Sequence, residues 1–115
     1  MATRNWTGTV DTDMNDGANY DGSGSILTTD DLVFSSGSGV TATATAHLHV
    51  NSLTINDLDY TAGEGFDSNS YTITVDGDLY ASDTLNGGGS SVNFDNLLMT
   101  ALSGSATLYL NYVFL

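Results

Sequence analysis

The stretch DTDMNDGANYDGSG, Asp11 to Gly24, crowds carboxylates and carboxamides together and raises the question of a calcium loop. A helix-loop-helix calcium loop needs oxygen ligands at its first, third and fifth positions, Gly at the sixth and a bidentate Glu at the twelfth. From Asp11 the sixth position is Asp16 and the twelfth is Gly22; from Thr12 the third is Met14; from Asp13 the sixth is Ala18. Every register fails. The stretch also lacks the G-G-x-G-x-D repeat of calcium-binding solenoids. No metal site and no cofactor is expected, which leaves open only a surface calcium on Asp11, Asp13 and Asn15.

Two other groups of residues could do chemistry. His47 and His49 share one face of a strand and could seat a transition metal, but two imidazoles fall short of a ligand set. With Thr41, Thr43 and Thr45 on the same face they read as a solvated polar row. The pairs Asp30/Asp31 and Asp76/Asp78 could act as glycosidase acid and base if the fold set them at the right separation. There is no G-x-S-x-G elbow and no Cys nucleophile. We therefore expect no catalytic residue and no enzyme.

Composition narrows the partners. Arg4 is the only Lys or Arg against 14 Asp and Glu, for a net charge of −13. Nucleic acid is excluded as a partner, because phosphate contacts need Lys or Arg. At 40% hydrophobic and 13% charged residues the chain has enough apolar material to fold. Its charge favours basic partner surfaces and makes copies repel one another unless salt screens them. No Cys means no disulfide or thiolate site. No stretch approaches the ~20 apolar residues of a membrane span, and MATRNWTGTV lacks the basic flank and apolar run of a secretory signal. A soluble product not exported through the general secretory route is expected, in which the sequon at Asn5 carries no glycan.

The elements that must position these residues are strands. In VTATATAHLHV, Val40, Ala42, Ala44, Ala46, Leu48 and Val50 alternate with polar residues, the pattern of one half-buried strand. After Asn51 the apolar phase moves to Leu53 and Ile55, which calls for a bend or bulge. Phe34, Ile55, Val75, Phe94 and Leu110 recur at 21, 20, 19 and 16 residues. A period near twenty, with Gly, Asn and Asp turns and no helical pattern between, predicts the stacked rungs of a β-solenoid. An antiparallel sandwich or jelly roll is the alternative.

The segment NWTGTVDTDMNDGANYDGSGSILTTDDLVF, with Trp6, Met14, Asn19, Tyr20 and the Asp30/Asp31 pair, resembles the lead-in of β-solenoid proteins found in phage virions and bacterial surface passengers. That family's pattern has a second Trp, NW and a Pro where this chain has Met14, Asn19–Tyr20 and no Pro. The resemblance covers residues 1–34. It implies that Trp6, Met14, Asn19 and Tyr20 form a structural cap over the open end of the stack, with Asp and Asn holding turn amides. The expected organisation is one all-β domain of about five rungs: cap and first strand over 1–34, rungs over 40–107 and a terminal strand over 108–115.

That terminal strand, LYLNYVFL, is apolar on both phases. Tyr109, Leu110, Tyr112, Val113, Phe114 and Leu115 are expected to form an oligomer interface, in a homotrimer. Together with the resemblance, this points to a structural virion protein that decorates or cements a bacteriophage capsid, with a major capsid or other virion protein as partner. The alternative is a glycan- or receptor-binding adhesin or fibre module.

Overall fold

The computed structural model of the chain describes residues 2–22, 24–82, 85–86, 92–94, 96–104, 108–109 and 113–114. It is an all-β solenoid of about four turns. Among the described residues every strand-to-strand pairing is parallel. The only helical elements among the described residues are the 3-10 turns Gly17–Asn19 and Tyr60–Ala62.

One seven-stranded sheet runs in the order β1 (Thr3–Asn5), β2 (Asp31–Ser35), β5 (Ser52–Asn56), β7 (Thr72–Ala81), β10 (Asn96–Gly104) and β12 (Val113–Phe114), with β4 (Leu48–Val50) also pairing with β7. A five-stranded sheet contains β3 (Thr41–Thr43), β6 (Gly65–Asp67), β9 (Val92–Asn93), β8 (Leu85–Asn86) and β11 (Leu108–Tyr109). Stacking puts like on like. Leu32, Leu53 and Leu79 form one inward column and Val50, Val75 and Met99 another. The rings of Phe34, Phe66 and Phe94 meet at successive centroid distances of 4.9 Å. Each layer is too thin to bury its own apolar side chains, so burial arises only between layers.

The twenty-residue period is right for the first step and wrong after it. Phe34 pairs with Ile55, but Ile55 pairs with Ala81, and Val75 belongs with Val50 and Met99. The spacing Phe34–Ile55–Val75–Phe94 thus mixes residues from different faces of the solenoid, and the longer true steps give fewer turns. VTATATAHLHV is likewise not one strand: Thr45, Ala46 and His47 are exposed and lie outside any strand, between β3 and β4, so Ala46 does not point inward. Asn15 holds this corner from the neighbouring layer, its Oδ1 accepting from the amides of Thr45 and Ala46 at 2.8 and 3.3 Å.

The phase change after Asn51 is a corner. β4 and β5 are separated by Asn51 alone and both pair with β7, whose Asp76–Gly77 region carries one residue more than either neighbour. The Asn51 amide donates to Asp30 O and its carbonyl accepts from Gly77 N. A Cβ on Gly77 would stand 2.9 Å from Asn51 O, so the close approach requires glycine.

The aromatic column predicts the largest single stability loss in the core. Phe66 is fully buried between Phe34 and Phe94. Phe66→Ala should destabilise by about 3–5 kcal/mol, measured as a fall in the denaturant midpoint with an unchanged slope.

Candidate functional site

The acidic stretch is a layer of the stack. Thr12 O accepts from Thr43 N and Met14 N donates to Thr43 O, so Asp13 lies in parallel register with Thr43 as an extra strand segment beyond β3. Met14 points inward and is completely buried. Its polar neighbours serve the backbone. Asp11 Oδ1 accepts from Asp13 N at 2.9 Å and from Asn19 Nδ2 at 2.6 Å. Asp13 Oδ1 accepts from Asn15 N at 2.9 Å and from Thr45 Oγ1 at 2.8 Å. Asp16 Oδ1 takes the amide of Ala18 and starts the short 3-10 turn.

Asn19 is fully buried and satisfies four groups at once. Its Oδ1 accepts from the amides of Val10 and Asp11, and its Nδ2 donates to Asp11 Oδ1 and Asp13 O. Tyr20 forms an antiparallel bridge with Trp6 and donates its hydroxyl to Met14 O at 2.7 Å. Burial pushes the Tyr20 phenol well above its ordinary range. The rings of Trp6 and Tyr20 both lie against Phe34, at 5.8 and 5.9 Å between centroids. Trp6, Met14, Asn19 and Tyr20 are therefore brought together over the first aromatic layer.

Arg4 sits in the same layer. It occupies the inward position in register with Leu32 and is only 4% exposed. Its Nε donates to Asp21 O at 2.7 Å, and its Nη2 to Gly17 O at 3.0 Å and Gly24 O at 3.3 Å. Nη1 lies 3.7 Å from Asp30 Oδ2, both side chains being buried. The one fixed cation is thus internal. A signal for this was visible: Arg4 shares the alternating phase of Trp6, so a lone Arg stood on the inward face of the first strand.

Glu64, the single Glu, is also internal at 3% exposed. Its Oε2 accepts from the amides of Gly37 at 2.7 Å and Gly39 at 2.9 Å, and its Oε1 from Asp59 N at 2.8 Å. It ties the turn after β2 to the turn after β5, one layer on. Burial raises its pKa, but the amides of Gly39, Asp59 and Gly37 outweigh this and hold it below the ordinary value.

The other flagged residues separate. Asp30 faces Arg4 inside, while Asp31 accepts from Asn51 Nδ2 and Ser52 Oγ, in that order the causes of its lowered pKa. His47 Nδ1 accepts from Thr72 N at 2.9 Å, and its ring stands edge-on to Tyr71. His49 Nε2 lies 2.8 Å from Asp76 Oδ2, with both side chains about half exposed. Among the described residues, no three His, Asp or Glu side chains converge as metal ligands. Of the expected interface residues, Leu110, Tyr112 and Leu115 lie outside the described residues. Tyr109 falls in β11, and Val113 and Phe114 in β12. These strands belong to different sheets, so LYLNYVFL is not one strand.

Compared with protein-family models, with curated proteins and with solved structures, the chain matches none.

Two predictions follow from this geometry. Because Asp11 and Asp13 already accept backbone amides, excess calcium should raise the melting temperature no more than a non-coordinating salt of equal ionic strength. Asp13→Ala should lower it equally with and without calcium; a calcium-specific rise that Asp13→Ala removes would show a cation site.

Glu64 sets a pH dependence. A carboxylate whose folded pKa is lowered contributes stability that is present above its ordinary pKa and lost as pH falls through the folded value. Asp11, Asp21, Asp31 and Asp59 are lowered too, so acid destabilisation should set in below about pH 4. Glu64→Gln should cost about 1.5–3 kcal/mol at neutral pH and less in acid, read by thermal melts across the pH range.

Proposed function

We propose that this protein is a structural virion component that decorates or cements a bacteriophage capsid as an oligomer. The observation that carries the reading is the use of the lead-in segment: Arg4, Trp6, Asp11, Asp13, Met14, Asn19 and Tyr20 build the closed end of the stack. This is the cap expected of the lead-in that residues 1–34 resemble, one shared by solenoids of phage virions and of bacterial surface passengers. The two charged groups most suggestive of chemistry by their rarity, Arg4 and Glu64, are turned to internal backbone bonds.

The outer surface suits the role. With Arg4 buried, the exposed fixed charge of the described residues is entirely acidic. Such a body attaches to basic or uncharged patches of a shell, and decorated particles repel one another. On a symmetric shell, weak contacts repeated by an oligomer add up to high avidity. A second reading, a glycan- or receptor-binding module, is favoured by the exposed rings of Tyr60, at the turn capped by Asp59, and Tyr80, on the outward face of β7, which are 43% and 41% exposed.

Virions purified from cultures expressing the gene provide the test, by mass spectrometry and immunogold labelling. Label spread over the capsid shell is the expected result. Label confined to fibre tips would transfer the case to receptor binding, and a protein found only in the soluble fraction would defeat both.

A further inference from the structure

The outward face of the larger sheet carries its side chains in rows set by strand register. Thr3, Asp31, Ser52, Asp78 and Ala101 form one row, and Asn5, Val33, Thr54, Tyr80 and Ser103 form the next. Several polar groups on this face bind one another. Asn51 Nδ2 and Ser52 Oγ donate to Asp31 Oδ1, Asn5 Nδ2 to Asp21 Oδ2, and Ser82 Oγ to Asn56 Oδ1. Around Tyr80 this pairing stops. Its hydroxyl, Thr54 Oγ1, Asn56 Nδ2, Ser103 Oγ and the Asp78 carboxylate make no hydrogen bond within the described protein. Asp78, Tyr80 and Ser103 are exposed.

These groups surround one aromatic ring. Thr54 and Ser103 flank Tyr80 on the neighbouring strands, Asp78 precedes it by two residues on the same face of β7, and Asn56 lies diagonally across on β5. Adjacent strands stand ~4.8 Å apart and alternate residues of a strand ~6.7 Å, so all four are close neighbours of the phenol. Physical chemistry narrows the ligand. Anions meet a body of net charge −13 whose single Lys or Arg side chain is internal. A stable protein contact buries ~800 Å² a side around an apolar centre. In Tyr80's row the only other apolar side chain is the half-buried Val33. An uncharged, hydroxyl-rich molecule fits. The C–H face of a pyranose ring lies flat on an aromatic ring, while its hydroxyls both donate and accept. Asp78 accepts from hydroxyls, the Asn56 amide donates to them, and Thr54 and Ser103 do either.

We propose that Tyr80, with Thr54, Asn56, Asp78 and Ser103, binds an uncharged oligosaccharide, one pyranose ring stacking on the phenol and its hydroxyls meeting Asp78 and Asn56. The inference rests on the glycan-binding reading, to which it assigns a face and a ligand class, and it does not need the capsid reading to be true. Asp78 also sets the selectivity, because a carboxylate beside the ring repels uronic and sialic acids. The face is shallow, so one contact is weak. Binding becomes firm when the contact is repeated along a polysaccharide or over a particle.

The test is a titration of the intact chain followed by amide chemical shifts, with cellohexaose, maltohexaose and chitohexaose as neutral probes and hexagalacturonate as the charged control. At least one neutral hexamer is expected to shift the amides of Thr54, Asp78, Tyr80 and Ser103 together, and hexagalacturonate is not. Tyr80→Ala should weaken that binding roughly tenfold and keep the melting temperature, because the ring is exposed. Tyr80→Phe keeps the ring and should keep most of the binding. The proposal is overturned if no neutral hexamer shifts this face at ~10 mM, enough to fill a site with a Kd of ~1 mM. Equal binding of hexagalacturonate, or indifference to Tyr80→Ala, would overturn it too. Shifts confined to the Tyr60 turn would keep a glycan-binding function and remove this site. Shifts on the face that follow protein concentration alone would give it to a second copy, and the proposal would fall. Each result stands apart from whether the protein is found on capsids.

Discussion

A parallel stack has ends, and the rest of this structure depends on how the first one is closed. Interior layers satisfy their amides and cover their apolar side chains with the layers on either side. The first layer has a partner on one side only. Here the lead-in folds back so that Met14 covers one inward column, Trp6 and Tyr20 cover Phe34, and Asp21 binds the outer edge of β1. Arg4 closes the leucine column that begins at Leu32 with a guanidinium instead of another apolar group. A buried cation is tolerable only because three carbonyls and Asp30 surround it.

The lone Glu does for the turns what the lone Arg does for the end. Glu64 gathers amides from turns that belong to different layers, so each holds its neighbour in place. Aspartate and asparagine do the same work within a turn. Asp13–Met14–Asn15 and Asp67–Ser68–Asn69 share one geometry, the Asp Oδ1 accepting the Asn amide two residues on. In both, the middle residue points inward and is fully buried. The side-chain amide then reaches the next layer, from Asn15 to Ala46 O and from Asn69 to Ala44 O.

Much of this was legible in the sequence where a local pattern sufficed. The β-solenoid class and the Phe34–Ile55 step follow from the spacing of the apolar triplets, and the corner after Asn51 from the change of alternating phase. The later steps were not legible, because apolar triplets from different faces look alike and only hydrogen-bond register tells them apart. The break inside VTATATAHLHV was hidden for a related reason: the corner is made by Asn15, some thirty residues earlier. Two signals could have been read and were not. One is the recurrence of D-x-N at 13–15 and 67–69; the other is Arg4 on the same phase as Trp6.

The charge of the molecule follows from its turns. Asp11, Asp13, Asp16, Asp21, Asp31, Asp59 and Asp67 each accept a hydrogen bond that shapes or joins a turn or strand end. Asn could accept many of the same bonds, so the preference for Asp adds negative charge beyond what turn geometry demands. With no Lys and the one Arg internal, that charge is left uncompensated on the surface. Parallel stacks need such restraint, because their strand edges template further pairing. Acidic side chains along the body oppose such pairing by like-charge repulsion. The same aspartates that fold each turn therefore also give the molecule a surface that repels its own kind.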